Sequence, residues 1–143
     1  MKKPFPLLLP LLALVLPLCM ACAGTGGFNR STRGPYADHL EFDNPSLDDA
    51  LQVTAYRLAP ATSTSPARAT LTLLSSYHTT LVLEARFLWF DAAGHPVTPP
   101  QSTPWHTVTL QPGTPKVLRT PAPAHAAHTP RLQLRAGTKS WLI

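Results

Sequence analysis

The stretch from Leu81 to Phe90 constrains the fold more than any other part of this chain. Its odd positions, Leu81, Leu83, Ala85, Phe87 and Trp89, are all apolar and must face a core. Its even positions begin Val82, Glu84 and Arg86 and end Leu88 and Phe90, so the second face is first polar and then covered. A strand apolar on one whole face and part of the other belongs in the middle of a sheet with a second layer packed on it. Phe87 and Trp89 are read as core residues. Asp91 to Gly94 supplies turn chemistry directly afterwards.

Other segments repeat the pattern more weakly. Ala69, Leu71 and Leu73 alternate with Arg68, Thr70 and Thr72, and Val108 and Leu110 alternate with Thr107 and Thr109 in the run from Trp105. Gln111 to Gly113 turns the chain into a strand over Lys116–Thr120. Leu132 and Leu134 alternate with Arg131, Gln133 and Arg135 in a last short strand, and residues 139–143 could add another. Residues 47–58 read two ways. Leu47, Leu51 and Leu58 share a helical face, with Ser46 and Asp49 resembling a capping box, whereas Gln52 to Tyr56 has β propensity. The expectation is a short helical turn, then a strand over Gln52–Leu58 paired with Ala67–Leu74 across the Ala59–Pro66 loop. Many short strands separated by turns predict an all-β protein, an antiparallel sandwich of the immunoglobulin-like kind.

Composition supports that reading. Charged residues are 13% of the chain, and its 17 prolines exceed the usual share. Prolines at strand ends and in loops fit a small β-sandwich, and the apolar strands argue against disorder.

The first residues give an address. Lys2 and Lys3 precede an apolar run over Leu7–Leu18, shorter than the roughly 20 residues that span hydrocarbon as a helix. Pro4, Pro6, Pro10 and Pro17 further oppose a membrane-spanning helix. Cys19, Met20 and Ala21 stand before Cys22, an imperfect but well-placed lipobox. The expected organisation is a lipoprotein signal peptide over 1–21, a lipidated Cys22 with a flexible tether over 22–36, and a β-sandwich domain over 37–143. Ala23 follows Cys22, which in enteric-type sorting favours the outer membrane, facing the periplasm. On that reading Cys19 leaves with the signal peptide and the lipidated Cys22 sulfur is a thioether, so no thiol would remain for disulfides, metal or nucleophilic chemistry. Cleavage also removes two lysines, lowering the formal charge from +5 to +3, too dispersed for nucleic acid.

Chemistry-bearing residues are sparse. His125 and His128 stand in a proline-bounded loop with no enforced common face, so they read as exposed histidines rather than metal ligands. They still support an alternative in which the domain is a metal- or small-ligand-binding module. Asp38, Glu41, Asp43, Asp48 and Asp49 fall in a segment expected to be loop, Glu84 and Arg86 read as a surface pair, and Asp91 as a turn residue. No nucleophile elbow, phosphate loop or dinucleotide fingerprint occurs, and a non-enzymatic chain without cofactors is expected. Tyr77, Trp105 and Trp141 are candidates for an exposed interaction surface, with Trp105 covering one end of the sandwich. The Ala59–Pro66 and Pro96–Pro104 loops would flank it.

The run Phe87-Leu-Trp-Phe-Asp-Ala-Ala-Gly94, then Pro104-Trp105, Leu110 with Gly113, and Ala122-Pro123, resembles the YcfL family of envelope lipoproteins, the DUF1425 domain. The resemblance covers about residues 50–136. Ser75-Ser76, His125 and Pro130 depart from its pattern, and Pro130 leaves open how the last strand begins, since proline donates no ladder bond. The resemblance implies an immunoglobulin-like sandwich on a lipid anchor and no assigned activity. Taken together, the expectation is a membrane-held interaction module for another envelope protein or the cell wall.

Overall fold

The computed structural model describes residues 27–137; Cys22 and Trp141 lie outside them, as do the expected signal peptide and the strand over 139–143. Among the described residues eight strands form two sheets: β1 (Asn29–Arg30), β2 (Leu40–Phe42), β3 (Leu51–Ala59), β4 (Arg68–Ser75), β5 (Leu81–Phe90), β6 (His106–Leu110), β7 (Lys116–Pro121) and β8 (Thr129–Ala136). The five-stranded sheet runs β1-β2-β8-β5-β6 and the three-stranded sheet β3-β4-β7. The chain passes between sheets after β2, β4, β6 and β7, the interleaved connectivity of an immunoglobulin-like sandwich. Among the described residues no helix is long and apolar enough to cross a membrane.

The core lies where the inner faces meet. Leu83, Ala85 and Trp89 of β5 with Leu132 and Leu134 of β8 pack against Leu71 and Leu73 of β4 and Leu51 and Val53 of β3. β5 is flanked by β8 and β6, as its composition requires, and its second face is buried at Leu88 and Phe90. Phe87 is partly buried against the core.

The ambiguous stretch resolves through a β-bulge. Val53 pairs with Leu73, but Ala55 pairs with Thr72, so Thr54 is the extra residue. The bulge turns Tyr56 inward, to pack against the core, and leaves Arg57 outward and exposed. Without it the strand's period of two would put Arg57 in the core. The apolar positions on either side of the bulge are therefore out of phase, which mimics a helical period. The expected helical turn is a 3-10 turn, Pro45–Leu47, capped by Asn44 and not by Ser46: the Asn44 side chain accepts from the Ser46 N–H at 3.1 Å.

Three expectations are corrected. The sandwich is not wholly antiparallel, because β2 pairs parallel with β8, Leu40 opposite Leu132. Residues 29–36, expected in a flexible tether, belong to the fold. β1 pairs with β2, Ser31 N–H donates to the Leu40 carbonyl, and Asp48 accepts from both the Ser31 and Thr32 hydroxyls at 2.6 Å. Slight burial opposes ionisation of Asp48, but those hydrogen bonds, the Thr32 N–H and the Arg33 charge hold its carboxyl below its usual range. Finally, the acids before β3 are not all in loop: Glu41 sits in β2 and is buried.

Pro130 settles within β8, opposite Trp89. The Trp89 carbonyl accepts instead from the Val97 N–H at 2.8 Å, so the missing donor costs no ladder bond there.

Candidate functional site

The outer face of the five-stranded sheet is built from the polar positions of β2, β8 and β5. Register places Arg86 opposite Gln133, and Gln133 opposite Glu41, in one row across three strands. Arg86 Nε donates to Gln133 Oε1 at 2.9 Å, and Gln133 Nε2 donates to Glu41 Oε2 at 2.7 Å. Arg131 reaches Glu41 Oε1 at 3.3 Å and lies 4.2 Å from the Phe90 ring centre. One row along, Arg135 Nε meets Glu84 Oε2 at 2.5 Å. The expected Glu84–Arg86 surface pair is therefore corrected: neighbours on one strand lose to partners directly across the ladder.

An aromatic strap closes over this ladder. Trp105, immediately before edge strand β6, lies 4.3 Å from the Arg86 guanidinium and 4.1 Å from that of Arg135. Phe28, immediately before edge strand β1, stacks on Trp105 with ring centres 5.8 Å apart. The two edges of the sheet are thus bridged across its outer face. Arg86 Nη1 also donates to the Pro100 carbonyl at 2.6 Å, tying down the Pro100–Ser102 turn. Burial, the neighbouring Arg135 charge and, against them, Glu41 leave the Arg86 guanidinium below its ordinary pKa, still fully cationic at neutral pH. This face is a satisfied polar layer.

The outer face of the three-stranded sheet differs. Arg57 and Arg119 both pair with Thr70, on its two sides, and Arg68 stands two residues along the same face of β4. All three arginines are exposed. β3, β4 and β7 contain no aspartate or glutamate. The arginines line one shallow cavity of about 440 Å³, with Ala59 and Pro121 at its apolar side. Two further cavities, of about 370 and 240 Å³, run along the other side of β7, between it and Phe87, Thr103 and Pro104.

The expected surface residues separate. Tyr77 is 36% exposed in the β4–β5 connection, its ring near that of His78. Trp105 lies mid-sheet rather than at an end, because the chain enters β6 opposite Ala85. The Ala59–Pro66 loop precedes β4 and the Pro96–Pro104 loop follows β5, so both lie at the opposite end from Tyr77. His125 and His128 are exposed, and His125 Nε2 faces the Thr62 carbonyl at 3.3 Å. No group of three or more His, Cys, Asp or Glu that could hold a metal ion forms among the described residues. Asp91 is a turn residue: hydrogen bonds from the backbone N–H groups of His95 and Ala93, together with the nearby His95 ring, hold its carboxyl below its usual range against slight desolvation.

Sequence reasoning missed Phe28, Arg86, Arg131, Arg135 and Glu41 as one assembly, and Arg57, Arg68 and Arg119 as another. The available signal was a basic residue at a polar-face position in each of several strands. Which strands are neighbours was not in that signal.

The model of a family described as "Protein of unknown function (DUF1425)" matches residues 38–136. Among solved structures, a DUF1425 family member from Shewanella sp. pv-4 is 18% identical, with a TM-score of 0.52 over 82% of this chain and 95% of that one. The Campylobacter jejuni protein cj0090 is also 18% identical, with a TM-score of 0.50 over 59% of this chain and 85% of its own. At such identity the likeness is one of fold. No curated protein matches the chain.

Proposed function

The chain belongs to the DUF1425 family, and from that premise we propose that it is a lipid-anchored protein of the bacterial envelope, acting as a non-enzymatic interaction module. The observation that carries the reading is the sequence from Lys2 to Cys22: a basic start, a short apolar run and a small residue before the cysteine. Support comes from β1, which begins a few residues after Cys22 and is clasped through Ser31, Thr32 and Asp48. A lipid on Cys22 would hold the five-stranded sheet close to the bilayer surface. Outer-membrane placement, facing the periplasm, follows from Ala23 after the cysteine.

The interaction role rests on what the domain presents. Its polar layer on the five-stranded sheet is satisfied internally, while the other sheet offers open arginines and an apolar groove beside β7. The partner is read as another envelope protein.

Replacing Cys22 by Ser should abolish metabolic fatty-acid labelling and leave the circular dichroism of the sandwich unchanged. Persistent labelling would overturn the anchor. Photo-crosslinking in cells from exposed positions on both faces, Tyr77 included, should trap a specific envelope protein. Recovery of no specific partner from any position would overturn the interaction role.

A further inference from the structure

Three arginines gathered on one sheet without a carboxylate repel one another, whereas opposite charges facing across a ladder stabilise it. Here Arg57, Arg68 and Arg119 have no ion pair among the described residues, and their three strands supply no acid. β7, which carries Arg119, is one of this sheet's two edge strands, and the one beside the apolar groove. Among the described residues it pairs with β4 alone, so its other edge presents backbone groups that no described strand pairs with. That edge borders the groove floored by Ala85, Phe87 and Val108 and walled by Thr103 and Pro104. Trp89 lines the continuation of the groove, and its buried indole N–H has no acceptor among the described residues.

We propose that the open edge of β7 receives an extended acidic segment of a partner protein, added as a strand. This deepens, and rests on, the reading of the domain as a protein-interaction module. Side chains of an added strand alternate between its two faces. On one face, carboxylates would reach Arg119 and then Arg68, with Arg57 adding to the field. On the other, apolar side chains would enter the groove beside Phe87. Pro115 and Pro121 bracket the edge and confine the added segment to the stretch Lys116–Thr120. A bilayer is the poorer fit for these arginines. The N-terminal strand belongs to the other sheet and Phe28 lies over that sheet's outer face, so an anchor there turns the arginine face away from the lipid.

The test uses the purified protein and a capped peptide of alternating glutamate and valine, with a lysine–valine peptide as control. The glutamate peptide should bind, shift the amide resonances of Val117 to Thr120, and weaken with added salt. The double variant Arg68→Gln, Arg119→Gln should bind it about tenfold more weakly, and Arg57→Gln alone should have a smaller effect. These side chains are exposed, so the variants keep the fold, as a thermal melt will verify. Equal binding by wild type and double variant would overturn the proposal. So would no binding at millimolar peptide, shifts elsewhere, or preference for phosphatidylglycerol vesicles. The in-cell crosslinking separates the two readings. A partner trapped equally by wild type and double variant sinks the β7 assignment alone; no partner from either sinks the interaction role itself.

Discussion

On the outer face of the five-stranded sheet, Arg86, Arg131 and Arg135 each have an aromatic ring and a polar partner within reach. On the outer face of the three-stranded sheet, Arg57, Arg68 and Arg119 have neither a ring nor a carboxylate among the described residues. Residue type is the same on both faces. What differs is what register places beside it: Glu41, Gln133 and Glu84 on one sheet, Thr70, Ala59 and Pro121 on the other. The first set of arginines contributes to holding the fold together. The second is left for something outside it.

The sharpest way to break this contrast is Glu41→Ala. Its side chain is 3% exposed and takes hydrogen bonds from Gln133 and Arg131. Removing it takes a carboxylate acceptor from the buried Gln133 amide and from the largely covered Arg131 guanidinium. Loss of about 3 kcal/mol is expected in urea unfolding. A loss below about 1 kcal/mol would mean that the ladder is decoration.

Trp105→Ala should cost less, about 2 kcal/mol, from two cation–π contacts and the stacked Phe28. Hydrogen exchange should quicken in β1 as well as β6, because Phe28 precedes one and Trp105 the other. Quickening in β6 alone would show that the strap does not tie the two edges.

The smallest effect belongs to the other sheet. Converting Arg57, Arg68 and Arg119 together to Gln should shift stability by no more than about 0.5 kcal/mol, and in the stabilising direction, as like charges are removed. A loss as large as that of Trp105→Ala would erase the distinction between the two faces.

Much of this was legible in the chain. Leu81 to Phe90 announced a central strand, and it is one, because alternation with a covered far end has few other solutions. The hairpin of β3 and β4 was readable from its loop, although the bulge at Thr54 hid the period of β3. β2 was not legible. Three residues pairing parallel with a strand some ninety positions away leave no local pattern. For the same reason Glu41 read as one of several loop acids, and Glu84 was assigned to Arg86 rather than to Arg135.

Sequence by itself determined the elements whose cause is local: the alternating strands, the turn at Asp91 to Gly94, and the likeness in Trp89, Pro104 and Trp105 that pointed to the family. It also carries the whole case for Cys22, which rests on the order of charge, apolar length and small residues. Tertiary structure alone decided which polar faces meet. Periodicity tells a residue which way to point, but the partner it finds there depends on strand order and register, and those are set by how two sheets close over a common core. Arg86 and Arg135 were thereby partly covered by Trp105 and Arg131 set against Phe90, while the arginines of β3, β4 and β7 were left open.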